Sequence, residues 1–141
     1  MSALGVRMAA IIAALAAAYP ARRVRGSFSD FNLLPKADLV SGVYTLVSAG
    51  EEDFTNVSGY VAKDGKQGLR LIGQIQLPEQ KDKALAGAAI QEAEFVMIEE
   101  VKAFLNNLPE TLCLLTLVRW AQSQQMEEPY GWIAAELEYV P

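Results

Sequence analysis

The stretch Glu79–Leu108, EQKDKALAGAAIQEAEFVMIEEVKAFLNNL, decides how this chain folds. It is the longest segment that keeps a single period. Apolar residues fall at Ile90, Ala93, Met97, Val101, Phe104, Leu105 and Leu108, the three-and-four spacing of one helical face. The pattern predicts a helix with Asp82 as its cap, closed by Pro109. Phe95 and Ile98 form a second, smaller apolar set on nearly the opposite side. A helix with two apolar faces packs on two things, here a sheet and either another helix or another subunit. Glu92, Glu94, Glu99 and Glu100 occupy the flanks and are expected in solvent.

Just before this helix, Leu69, Leu71, Gly73, Ile75 and Leu77 alternate with Arg70, Ile72, Gln74 and Gln76, which predicts a half-buried strand over 69–77. Leu39 to Ala49 carries apolar residues on both faces and predicts a strand covered on both sides. Phe54 to Ala62 predicts a weaker strand, and Lys63-Asp64-Gly65-Lys66 a hairpin turn, so 39–77 would be a three-stranded meander. Beyond the helix, Pro109-Glu110-Thr111 opens a single helical turn. A strand then runs to Gln122, with Leu117, Arg119 and Ala121 alternating against Thr116, Val118 and Trp120. Gln122–Pro129 is a polar loop. Gly131–Val140 is a last strand with Ile133, Ala135, Leu137 and Tyr139 on one face, pairing with its predecessor as a terminal hairpin.

At the other end Ser2 caps a helix over Ala3–Ala18, with Leu4, Met8, Ile11 and Leu15 in one stripe and Pro20 at its end. The apolar run Met8–Ala18 also has the form of a secretory core region, but its alanine content and stripe favour an amphipathic core helix. The run is shorter than the roughly 20 residues a bilayer requires. Arg22, Arg23 and Arg25 follow as a basic linker. Phe28 and Phe31 then sit in a polar loop that Pro35 closes. The fold class is therefore α+β: a small, mainly antiparallel sheet of four to five strands flanked by two helices, in one domain over 1–141.

Composition narrows the chemistry. The chain has 141 residues, 52% of them hydrophobic, and a net charge of −5. Residues 1–83 carry ten basic and eight acidic side chains, hence +2, and residues 84–141 two and nine, hence −7. An acidic half is poorly suited to gripping phosphate. There is no histidine, which removes imidazole acid–base work, histidine triads and histidine metal sites. The single cysteine, Cys113, allows no intrachain disulfide, and its apolar neighbours predict a small buried hydrophobe. No glycine-rich phosphate loop or metal-spaced ligand set occurs, so neither a cofactor nor a metal is expected. Glu136 and Glu138 are neighbours on one strand face, but nothing in the sequence builds a pocket around them. The expectation is a protein that is not an enzyme.

The order helix, loop, strand meander, long helix, terminal hairpin resembles the tail terminator family of long-tailed phages, the lambda-type minor tail proteins. The parallels are the opening Met8-Ala9-Ala10-Ile11-Ile12-Ala13-Ala14-Leu15 helix, the Leu39–Ala49 strand after a proline, Arg70–Pro78 running into the long helix, and Gly131–Tyr139 closing the chain. The resemblance implies a structural virion protein. It would form a hexameric ring on the last ring of the tail tube, stop tube polymerisation and face the neck proteins of the head, while DNA passes through its lumen unheld. It also implies assembly in the host cytoplasm, a place at the head-proximal end of the tail, and no membrane. By analogy Glu51, Glu52 and Asp53, or Glu127 and Glu128, would line the lumen, and Arg22, Arg23, Arg25, Phe95 and Ile98 would meet the neighbouring subunit. A neck or head-completion protein of the same kind of virion, and a small secreted binding module, are the alternatives.

Overall fold

The computed structural model describes residues 2–54, 56–57, 60–61 and 64–140, with backbone alone at 56–57 and 60–61. Helix α1 spans Ala3–Ala18, and Ser2 caps it, its hydroxyl accepting from the Gly5 N–H at 3.0 Å. Strand β1 is Arg23–Arg25, α2 Lys36–Ser41, β2 Val43–Glu52, β3 Asn56–Val57, β4 Tyr60–Val61 and β5 Lys66–Gln76. Helix α3 runs Lys83–Asn106, followed by a 3-10 turn at Glu110–Leu112, β6 at Leu115–Gln122 and β7 at Tyr130–Tyr139. Asp82 caps α3 as the sequence predicts, accepting from the Ala84 N–H at 3.0 Å.

The five-stranded sheet has the order β1-β2-β5-β7-β6, antiparallel except for the β1–β2 pair. The α+β class, the two flanking helices and the terminal hairpin of β6 with β7 all hold. Helices α1 and α3 share one face of the sheet. There Ile11 and Leu15 of α1 and Met97, Ile98 and Val101 of α3 join Leu46, Leu71, Ile133 and Leu137 in a single buried cluster. Gly73 lets α3 approach β5, because a Cβ at that position would lie 2.8 Å from both Met97 and Ile133 side-chain atoms.

Several expectations are corrected. Leu39–Ala49 is not one strand: Leu39 and Val40 lie in the short helix α2, and Pro35 opens that helix instead of closing a loop. Gly42, at φ +88°, turns the chain from that helix into β2, and the Arg22 side chain lies over its Cα. The arginine stretch is not a free linker, since Arg23–Arg25 pairs in parallel with Val43–Thr45. The three-strand meander is replaced by direct pairing of β2 with β5, down to Glu52 opposite Lys66. The weak strand over Phe54–Ala62 becomes the separate pair β3–β4, and Thr55, Ser58, Gly59, Ala62 and Lys63 lie outside the described residues. Cys113 is exposed, because the 3-10 turn that precedes it buries Leu112 instead. A bulge between Leu117 and Arg119 lifts Val118 out of register and lets Trp120 pack on the core, so the predicted alternation of β6 inverts halfway along.

Candidate functional site

Three constellations stand out, two on the helical side of the sheet and one on the other. The first gathers around Glu100 of α3. Its carboxylate accepts from Arg22 Nε at 3.0 Å and Nη2 at 2.7 Å, the fork geometry that makes arginine–carboxylate pairs strong. The Tyr44 hydroxyl lies 2.9 Å from both Glu100 Oε1 and the Met97 carbonyl, so one proton serves two acceptors. Tyr19 donates to the Glu100 carbonyl, and Arg22 Nη1 to the Ser41 carbonyl at the end of α2. The C-terminal end of α1, α2, β2 and α3 thus meet at one ion pair whose side chains are 14% and 18% exposed.

Burial pushes the Tyr44 hydroxyl far above its ordinary value of 10.0, with the Glu100 charge adding to it, and Tyr19 moves up for the same reasons. The hydrogen bond to Glu100 raises Arg22 further. Because the folded state holds the Tyr44 proton more tightly than the unfolded chain does, its contribution is complete below pH 10 and falls as pH rises above it. Urea titrations between pH 9 and 11.5 are expected to show wild-type stability falling with a slope approaching about 1.4 kcal/mol per pH unit. Tyr44→Phe should flatten that limb; an unchanged slope would place the alkaline sensitivity elsewhere.

The second constellation is Glu94, fully buried on α3. Its carboxylate accepts from the Ser123 hydroxyl, from Gln122 Nε2 at 3.2 Å and from the Trp132 N–H at 2.9 Å. These donors belong to the end of β6, the loop after it and the start of β7, so one carboxylate ties the terminal hairpin to the helix. The solvent expected around Glu94 and Glu100 is thus replaced by donors from other elements. The signal for Glu94 is present in the sequence, since it falls between Ile90 and Met97 at the four-and-three spacing of the buried stripe.

The third lies on the face of the sheet away from α1 and α3. Leu34, Leu39 and Val43 form a small buried cluster there, with Phe31 and Tyr130 packed on it, their rings 4.7 Å apart. Gln74, 2% exposed, donates to the Ser29 carbonyl at 3.1 Å and so ties residues 28–31 over the strands. Beside this tie is a cleft of about 320 Å³ lined by Phe28, Phe31, Ile72 and Trp132, with Asp30, Glu127 and Arg70 at its margins. Arg70 lies 3.8 Å from Glu136, whose carboxylate also takes Arg119 at 2.8 Å. Glu136 is therefore a charge partner on an open sheet face, and Glu138 lies on the same face two residues on.

The residues expected from the sequence are dispersed. Glu51 and Glu52 end β2, where β5 begins and β7 ends, whereas Glu127 and Glu128 sit in the loop where β7 begins. The strands between them put the two acidic groups at opposite ends of the sheet, about 30 Å apart at 3.3 Å per residue. Glu51 accepts from the Gly65 N–H, Asp53 lies 3.6 Å from Lys66, Glu127 accepts from the Trp132 indole, and Glu128 pairs with Lys83 at 3.0 Å. Arg22 is taken by Glu100, Arg23 lies 3.3 Å from Asp38, and Arg25 donates to Ser29. Ile98 is 1% exposed and belongs to the core, so it is withdrawn from the surface expected to meet a neighbour. Ile98 joins the core cluster that α3 and α1 share with the sheet, so the buried arc of α3 is wider than one stripe. Phe95 stays at the surface, 38% exposed and edge-on to Trp120.

Among the described residues no cluster of three or more His, Cys, Asp or Glu is placed to hold a metal, and no helix is long and apolar enough to cross a membrane. No protein-family model matches the chain, and no curated protein matches it in sequence.

Proposed function

We propose that the chain is the subunit of a ring that caps a phage tail tube, ends its polymerisation and presents a surface for head joining. The observation that carries this reading is a pair of unlike surface patches. On α3, exposed Phe95 and Val96 are bordered by Glu92 and Glu99; near β1, exposed Leu33 shares a groove with Arg22, Arg23 and Arg25 against a single acid, Asp38. Closed rings arise from heterologous contacts, in which two different and complementary patches meet. Acid-rimmed and base-rimmed apolar surfaces on one chain meet that requirement. The net charge of −5 suits a channel through which DNA slides.

Light scattering of the purified chain, alone and with tail tube protein, tests the reading. Hexamers or tubes of fixed length are the expected result. A strict monomer that leaves tube growth unchanged would overturn it, and a ring that binds neck proteins while ignoring tube ends would transfer the chain to the connector class. Phe95→Glu is expected to abolish the ring while the far-UV spectrum is kept and the unfolding free energy falls by only about 1 kcal/mol, the worth of its edge contact with Trp120.

A further inference from the structure

We propose that the cleft beneath residues 28–31 receives the cationic side chain of a partner protein, arginine before lysine. The inference stands on the cleft alone and does not require ring assembly. Three aromatic rings, those of Phe28, Phe31 and Trp132, line one small space on the sheet face away from the helices. Ring faces are electron-rich and attract guanidinium and ammonium groups, most strongly where water is partly excluded. Two carboxylates stand at the margins. Asp30 makes no capping hydrogen bond from its side chain, and Glu127 accepts from the Trp132 indole through one of its two oxygens. Against them the lining offers one cation, Arg70, for a sum of +1 and −2, or −1. Arg70 itself leans toward Glu136.

The space is built rather than incidental. Gln74 forms part of its wall, is nine-tenths buried and more, and fixes the loop carrying Phe28 and Asp30 through its bond to Ser29. The Gln74 Oε1 atom is buried with no hydrogen-bond partner among the described residues. A guanidinium offers five donors in a plane and stacks on aromatic faces, which ranks arginine above lysine here. The volume, about 320 Å³, is at the lower end for ligand pockets. It suits one long side chain whose backbone stays outside, and hence a docked protein segment.

The chain has two tryptophans, so a Trp120→Phe background leaves Trp132 as the sole indole reporter. The probe is acetyl-Gly-Arg-Gly-amide, with the citrulline peptide as its neutral isostere. A saturable change in Trp132 fluorescence is expected with the arginine peptide, and at least about fivefold weaker binding with citrulline. Phe28→Ala and Glu127→Gln should each weaken the arginine peptide about threefold or more, whereas Phe95→Ala, outside the cleft, should leave it unchanged. Circular dichroism confirms that each variant is folded. Equal binding of the citrulline peptide, no saturable signal, or equal weakening by Phe95→Ala would overturn the proposal. So would a Trp132 signal that changes with protein concentration alone, since the occupant would then be a second copy of this chain.

Discussion

Glu94→Ala is expected to lower the unfolding free energy by about 3 kcal/mol, a large share of what a domain of this size possesses. Glu94 is 0% exposed and holds three donors from two strands and a loop. Truncation removes the acceptor for the Ser123 hydroxyl and the Trp132 N–H, and a buried donor without a partner loses its hydration with nothing in return. It also leaves a void against Gly131, where a Cβ would lie 3.1 Å from both Glu94 and Ile90 side-chain atoms. Glu94→Gln keeps the shape and one oxygen but turns an amide N–H toward the same donors, so an intermediate loss of about 1–2 kcal/mol is expected. Denaturant midpoints at constant slope measure both. A loss below about 1 kcal/mol for the alanine variant would mean that the terminal hairpin does not depend on this carboxylate.

The second large effect is expected at Glu100. Glu100→Ala leaves Arg22, 14% exposed in its side chain, without its carboxylate, and deprives Tyr44 of one of two acceptors. Removing one partner of a largely buried ion pair costs more than the pair is worth, because the remaining charge stays desolvated. Partial exposure moderates this to about 2 kcal/mol. Arg22→Ala should cost less, since Glu100 keeps the Tyr44 hydroxyl and some solvent. The double variant separates the coupling: an interaction energy of about 1 kcal/mol or more is expected, and strict additivity would show that the four elements meeting there are held by apolar contact alone.

Both glutamates bear on what the sequence discloses. Elements with strong local signals are legible: Ser2 and Asp82 as caps, the 3.6-residue stripe of α3, the alternation of β5 and β7, and the turn at Glu110–Leu112. Elements fixed by distant partners are not. The three-residue β1 has no period of its own and exists because it lies beside Val43–Thr45. In α2, Leu39 and Val40 are separated from the apolar β2 only by Ser41 and Gly42, and the conformation of Gly42 divides helix from strand. The bulge at Val118 is a matter of pairing, and the face inversion of β6 follows from it. A charged residue in an apolar stripe is ambiguous until its donors are known, and the donors of Glu94 are 28 to 38 residues away. The cleft joins residues 28–31 to β5 and β7, so in the sequence its aromatic lining is split between the loop residues Phe28 and Phe31 and the strand residue Trp132, with no local signal that brings them together.

The pairing of β2 with β5 also determines where this chain tolerates change. Their register closes at Glu52 opposite Lys66, sealed by the Gly65 N–H on the Glu51 carboxylate. Everything between is spliced into a joint that is already shut. The entropy of closing such an excursion grows only slowly with its length, about 0.6 kcal/mol per doubling. An affinity tag or fluorescent domain grafted between residues 56 and 61 should therefore leave the sheet, the Glu94 and Glu100 anchors and the cleft in place.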